Sequence, residues 1–267
     1  MPNSDTLPIL AHKDYLSLSV FTPENLLREA RRQKSIAEGS IPKICILDPD
    51  GDIVQNLLEA GLAQLNPYWA CYHTRMYNFN YDGIEFGIVG NAVGASFAVL
   101  VAEEMFASGC ELLISMTSAG QIITKGRPPY FVLIEKALRD EGTSYHYLPP
   151  STFSTINPKL MECLKGVFEK SQHPVFLGAT WTTDAPFRET ETAIMYCRSQ
   201  GILGVEMEAS ALYAFSEAKG HPVICFAHIT NQMGNVENDF EKGEAQGSLD
   251  AIDVISQAAE AWLFCAP

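Results

Sequence analysis

Between residues 43 and 230 the chain alternates short apolar runs with amphipathic stretches, a pattern that restricts it to an α/β architecture. KICIL (43–47), ELLISMT (111–117), PVFLGATW (174–181) and PVICFAHIT (222–230) have the length and composition of buried strands. YFVLIEKAL (130–138) fits a strand or a helix. WACYHTRMYNFNYDGIEFGIVG (69–90) predicts two strands around a turn at Asp82-Gly83. Helices are expected over 52–63 with Gly61 near the stop, over Ser96 to Ser108 with Gly109 at C′, and over 187–200. Two more are expected over 206–219, ended by Gly220 and Pro222, and over 248–264. Asn157-Pro158 makes an N-cap and N1 pair. TPENLLREARRQK (22–34) predicts a surface helix with Pro23 at N1 and a packing stripe of Leu26, Leu27 and Ala30.

The 267 residues are 47% apolar and contain no Ser/Gly/Pro-rich linker, low-complexity run or internal repeat, so a single domain over 1–267 is expected. No apolar run approaches the roughly 18 residues of a membrane helix. The first residues, MPNSDTLPILAHKDY, do not have the build of a signal peptide. The seven cysteines are scattered and never spaced C-x-x-C, which argues against a disulfide framework or structural zinc and for a reducing cytoplasm. A formal charge of −14 makes a nucleic-acid partner unfavourable. An anionic small substrate would need a local cluster of Arg or Lys to overcome that field.

Three stretches carry candidate chemistry. In ICILDPDGDIV (44–54) a strand ends and Asp48, Asp50 and Asp52 follow on alternate positions, where α/β proteins bind ligands. A calcium loop reads weakly there, because its sixth position is Ile53 instead of Gly. The opening also resembles the haloacid-dehalogenase phosphatases, with Asp48 as nucleophile and Asp50 as acid, but a late strand ending in a metal-holding acid is missing. A plain Asp-rich turn capping the next helix accounts for the pattern equally well. In GNAVGASFAVLVAEEMFASGCELLISMTSAGQI (90–122), small residues let backbone N–H groups approach a ligand. In GVEMEASALYAF (204–215), Glu206 and Glu208 sit inside an apolar run, either as first-turn acids complementing a helix dipole or as ligands.

That last segment and its sequel resemble the nucleoside phosphorylase superfamily, in its uridine-phosphorylase-like branch. GVEMEASALY matches a V-E-M-E-A-x-x-L-Y signature, and a T-N follows downstream. RDEGTSYHYLPP (139–150), LDPD (47–50) and VGASFAVLVAEEM corroborate it. The resemblance implies a three-layer α/β/α sandwich around a mixed, partly barrel-like sheet. It implies cleavage of the base–ribose bond of a nucleoside, no metal or other cofactor, and a homo-oligomer, dimer or hexamer. Glu208 then grips the ribose 2′ and 3′ hydroxyls and stabilises positive charge on the sugar, Met207 packs on the sugar face, and Glu206 is either a second sugar contact or a helix-start acid. Asn231 stands where purine-cleaving relatives have an Asp, and it hydrogen-bonds the leaving base without supplying a proton, which favours pyrimidine or 6-oxopurine nucleosides. Phe187 stacks on the base and Arg188 contacts a carbonyl, with Ser118 and Gly120 of the T-S-A-G turn alongside; His146 aligns with a family histidine.

The chain departs from the resemblance at the phosphate site. Gly51 and Ser115 stand where phosphorylases have arginines, and Leu47 where the turn glycine lies. Arg75 is near the place of an arginine donated by a neighbouring subunit, and Lys125 and Arg127 are possible substitutes or solvated loop charges. The hydrolytic branch of the superfamily places a water-activating acid where this chain has Asp52, and Ser118 can hydrogen-bond either nucleophile. Two readings follow: phosphorolysis, giving base and ribose 1-phosphate, or hydrolysis with water activated by Asp52. A non-catalytic nucleoside binder on the same fold is a third.

Overall fold

A computed structural model describes residues 7–233, 237 and 239–265. The expected strands form at β1 (Ile44–Asp48), β3 (Met76–Tyr81), β4 (Ile84–Gly90), β5 (Leu112–Gln121), β8 (Val175–Thr183) and β10 (Val223–Asn231). Residues 130–138 resolve as strand, β6 (Tyr130–Asp140). Short strands β2 (Gln64–Leu65) and β7 (Phe153–Thr155) complete the edges.

One strand departs from expectation. The segment expected to open a helix at residue 206 is instead strand β9 (Ile202–Glu206), and helix α6 (Ala209–Lys219) begins three residues later. The run from Ile202 is buried at every position of β9, so periodicity does not separate it from the buried helix that follows.

The ten strands make one sheet, ordered β10-β6-β8-β9-β5-β1-β4-β3-β2, with β7 beside β6. β10 pairs with β5 as well as β6, so β5, β10, β6, β8 and β9 close a ring. The sheet is therefore mixed and partly a barrel. Around it lie α1 (Pro23–Lys34), α2 (Asp52–Glu59), α3 (Ala95–Ala107), α4 (Pro158–Cys163), α5 (Glu191–Ser199), α6 and α7 (Ser248–Cys265). Six of them fall into two groups, α1 on α3 on α6, and α2 and α4 on α7, while α5 packs beside β9. No helix among the described residues is long and apolar enough to cross a membrane.

Caps form where the sequence places them. Thr22 Oγ1 accepts from the Asn25 N–H at the start of α1, and Asn157 Oδ1 from the Lys159 N–H at the start of α4. In α1, Leu27 and Ala30 are buried and Leu26 is half-buried, as the stripe requires.

The RDEGTSYHYLPP segment is organised by one buried cation. Arg139 donates to Ser144 Oγ (2.8 Å), Ser151 Oγ (2.7 Å) and the carbonyls of Pro149 (2.8 Å) and Leu148 (3.2 Å). Hydrogen bonds to a charged group contribute more than neutral ones, and here one side chain holds a whole loop. Arg139→Ala is expected to cost about 3 kcal/mol and to lower Tm by roughly 6–12 °C, measured by thermal unfolding. An unchanged Tm would show that the loop holds itself.

Candidate active site

The ends of β1, β5, β9 and β10 converge, and each supplies a part. β1 ends at Asp48, and the following turn needs Gly51: its φ is +83°, and a Cβ there would lie 2.6 Å from Asn91 Oδ1. Asp48 is buried, and its oxygens accept from the N–H groups of Gly51 (3.2 Å) and Val54 (3.0 Å). Burial raises its carboxyl to about 7, the turn N–H groups oppose that, and the charges of Asp50 and Asp52 add to it. Asp48 thus caps the turn and is not placed as a nucleophile, which removes the phosphatase-like reading.

Asp50 and Asp52 converge on Lys242, a residue some 190 positions later in the chain. The ammonium donates to Asp50 Oδ2 at 3.1 Å and makes a shorter bond to Asp52 Oδ2. Ser118 Oγ donates to the same Asp50 oxygen. Burial lowers the Lys242 ammonium, but its bonds to Asp52 and Asp50 outweigh that and hold it above the ordinary value. These groups, with Asp48, Thr117 and His228, enclose a cavity of about 20 Å³. His228 stacks on Phe131 at 4.5 Å, and burial, helped by Lys242, lowers its imidazole to about 4, so it stays neutral. Nothing in the local sequence FEKG (240–243) marks Lys242, because its partners are set by tertiary folding alone. Lys125 and Arg127, the cations considered as substitutes, are exposed.

Glu208 lies on the other side of β5's Thr117-Ser118 pair, bonded to Thr117 as Asp50 is to Ser118. It is 1% exposed. Its Oε1 accepts from the Gly94 N–H (2.7 Å), and its Oε2 from Thr117 Oγ1 (2.9 Å) and the Met207 N–H (3.3 Å). Gly94 supplies that N–H from φ +90° at the start of α3, so the small-residue turn at 90–94 does bring backbone donors to a ligand-type group. Burial raises the Glu208 carboxyl and the neighbouring charge of Glu206 raises it further, against those three donors.

Glu206 is different. Its Oε1 accepts from Thr180 Oγ1 (3.1 Å) and Thr182 Oγ1 (2.5 Å), and its Oε2 from the N–H groups of Glu208 and Ala209 (both 2.7 Å). Both oxygens are engaged by internal donors in a buried setting. Of the two expectations for Glu206, this geometry displays the helix-start one: the carboxylate caps the start of α6 from the end of β9. Met207, between the two glutamates, is half-buried.

Gly120 on β5 pairs in register with Asn231 on β10. Asn231 Oδ1 accepts from the Met233 N–H (2.9 Å), and its Nδ2 donates to Thr230 Oγ1 (3.2 Å), leaving one amide proton. A Cβ on Gly120 would lie 2.5 Å from Met233 Sδ and 3.3 Å from Asn231 Oδ1, so this side of the site depends on the bare backbone.

Phe187 and Arg188 are not brought in. Phe187 is fully exposed in a short 3-10 turn, Pro186–Arg188, and Arg188 is exposed beside it. The turn is held by its own backbone bond from Arg188 N–H to the Ala185 carbonyl, not by packing on Gly120 or Asn231. His146 is exposed and faces Lys13, with Nζ and Nδ1 2.8 Å apart, away from both ends of the cluster. Arg75 is exposed on a groove of about 650 Å³ whose lining also includes Lys34, His73, Phe97 and Asn91; the groove meets the cavity at Asp50.

Comparison with known proteins fits this geometry. Residues 43–260 match the family described as the phosphorylase superfamily. The chain belongs to the phosphorylase superfamily. Helix α1 lies outside the matched residues. The chain is 23% identical over 190 residues to the guanosine phosphorylase of Halorubrum lacusprofundi, covering 69% of this chain and 76% of that one. Uridine phosphorylase of Vibrio fischeri superposes with a TM-score of 0.67 at 22% identity, over 82% of this chain and 91% of that one. The 5′-methylthioadenosine/S-adenosyl homocysteine nucleosidase of Campylobacter jejuni superposes at 0.66 and 18% identity, over 82% and 100%. Superfamily membership places the protein among enzymes of pentosyltransferase or N-glycosidase type, which cleave nucleoside glycosidic bonds.

Proposed function

We propose that the protein is a hydrolytic nucleosidase, breaking the N-glycosidic bond of a ribonucleoside with water as the nucleophile. The observation that carries this reading is the 20 Å³ cavity beside Ser118, which has room for about one water. Its wall holds three carboxylates and one ammonium, an unfavourable setting for a phosphate dianion.

In the reaction the C1′–N bond breaks with its electron pair going to the base nitrogen, and positive charge develops on the sugar. Glu208 stabilises that charge and grips the ribose hydroxyls, with Met207 against the sugar face. The water oxygen bonds to C1′, its proton passes to the Asp52 carboxylate and on to solvent, and the base takes up a proton from solvent. Asn231 offers its remaining amide proton to the base as a hydrogen bond, which suits a pyrimidine or 6-oxopurine leaving group. Phe187 and Arg188 join the base only if their turn folds inward. A homo-oligomer belongs to the same reading, with Arg75 at the groove edge available to a second copy. Seven free thiols suit a reducing cytoplasm.

Phosphorolysis is the second reading, supported by the names of the Halorubrum and Vibrio proteins. It requires a cation to meet phosphate beside the aspartates, either Lys242 released from them or Arg75 from the adjoining groove. A nucleoside panel assayed in phosphate-free buffer, with and without added phosphate, separates the two. Free base and ribose at a rate indifferent to phosphate is the expected result. Ribose 1-phosphate formed only with phosphate would overturn the hydrolytic reading, and binding without turnover would leave a nucleoside binder.

A further inference from the structure

We propose that Lys242 is the positioning residue of the nucleophile: its ammonium pins Asp50 and Asp52 together on one wall of the cavity and thereby seats the attacking water. The proposal rests on the hydrolytic reading.

Three carboxylates within five residues, at Asp48, Asp50 and Asp52, repel one another. Asp48 is fixed by the N–H groups of its own turn. Asp50 and Asp52 have no such backbone anchor among the described hydrogen bonds; their side chains are held by Ser118 and by Lys242. Asp50 receives both donors on one oxygen, Oδ2, and Asp52 receives Lys242 on Oδ2. Both aspartates line the cavity, and the two bonds leave Lys242 a third N–H. The ammonium is itself held at a defined depth. The Glu241 N–H bonds the Thr230 carbonyl at 2.8 Å, which ties the residue before Lys242 to β10. Ser248 Oγ bonds the Asp52 carbonyl at 3.1 Å, which ties the start of α7 to the start of α2. Gly247 presses on the His228 ring, where a Cβ would lie 2.4 Å from Cε1. The other ionisable groups near the ammonium are Asp48 on β1 and His228 on β10; Asp250 on α7 faces His173 at 3.5 Å.

A residue that only braces the fold and a residue that aims the water differ in one measurable respect. The first changes how much active enzyme there is; the second changes what the sugar reacts with. Methanol offered alongside water reports this, because attack by methanol gives methyl riboside and attack by water gives ribose. Their ratio does not depend on the folded fraction.

The experiment uses the full chain and the nucleoside that it turns over. Lys242→Met is expected to lower kcat by about 10- to 100-fold, to leave KM within about threefold, and to raise the ratio of methyl riboside to ribose. Lys242→Arg, which keeps a cation able to bond both carboxylates, should return kcat and the ratio toward wild type. An unchanged ratio in Lys242→Met, whatever its kcat, would overturn the proposal. Failure of the underlying reading is seen separately, as phosphate-dependent ribose 1-phosphate from the wild-type enzyme before any substitution is made.

Discussion

Glu208→Gln is expected to lower kcat/KM by about 100- to 1,000-fold while leaving the protein folded. Glutamine keeps the shape of the side chain. Its carbonyl can accept from Gly94, and its amide can face Thr117 Oγ1, which both donates and accepts; only the longer bond from the Met207 N–H, at 3.3 Å, is lost. What it lacks is the negative charge that answers an oxocarbenium-like transition state. The folded protein should not suffer, for a reason with a definite sign. Burial raises the Glu208 carboxyl above its ordinary value of 4.5, so the folded state holds that proton more tightly than the unfolded chain does. Wild-type stability therefore falls as pH rises from about 4.5 toward the shifted value, and the glutamine variant is free of that loss. Steady-state kinetics and thermal unfolding across pH 5 to 9 check both halves. Wild-type turnover in Glu208→Gln would show that the sugar is gripped elsewhere.

Glu206→Ala should do the reverse, costing stability more than chemistry. The carboxylate takes hydrogen bonds from Thr180, Thr182 and two N–H groups at the start of α6, all in a dry setting. Removing it leaves those donors without an acceptor, at about 1–3 kcal/mol for each that finds no other partner. A total of about 4 kcal/mol is a large share of a typical folding free energy, and corresponds to a fall in Tm of roughly 8–16 °C. Glu206→Gln should fall in between, because its amide group faces donors where the carboxylate offered an acceptor. A variant Glu206→Ala that is as stable as wild type but inactive would return Glu206 to the sugar.

Much of this was readable in the sequence, and the failures share a cause. Strands with apolar runs bounded by turns, and helices with caps at Thr22 and Asn157, announce themselves locally. The V-E-M-E-A pattern pointed to Glu208 and Met207, and the structure buries Glu208 among a helix start, β5 and the Gly94 turn. β9 was hidden because a buried strand running into a buried helix has no change of period to mark the join. Lys242 was hidden because nothing local distinguishes a lysine that meets two aspartates across the fold from one that meets water. Phe187 and Arg188 were assigned from a motif, whereas their position depends on how a short surface turn packs.

Thr117 bonds Glu208 on one side and lines the water-sized cavity on the other. The surroundings of Glu208, the proposed sugar-holding group, come from β9, α6 and the Gly94 turn, while the cavity wall proposed to seat the nucleophile comes from the turn after β1 and the segment around Lys242. The two parts meet on β5, at Thr117 and the adjacent Ser118. On the proposed reading, a change of attacking reagent calls for substitutions around Asp50, Asp52 and Lys242, while the surroundings of Glu208 can stay as they are.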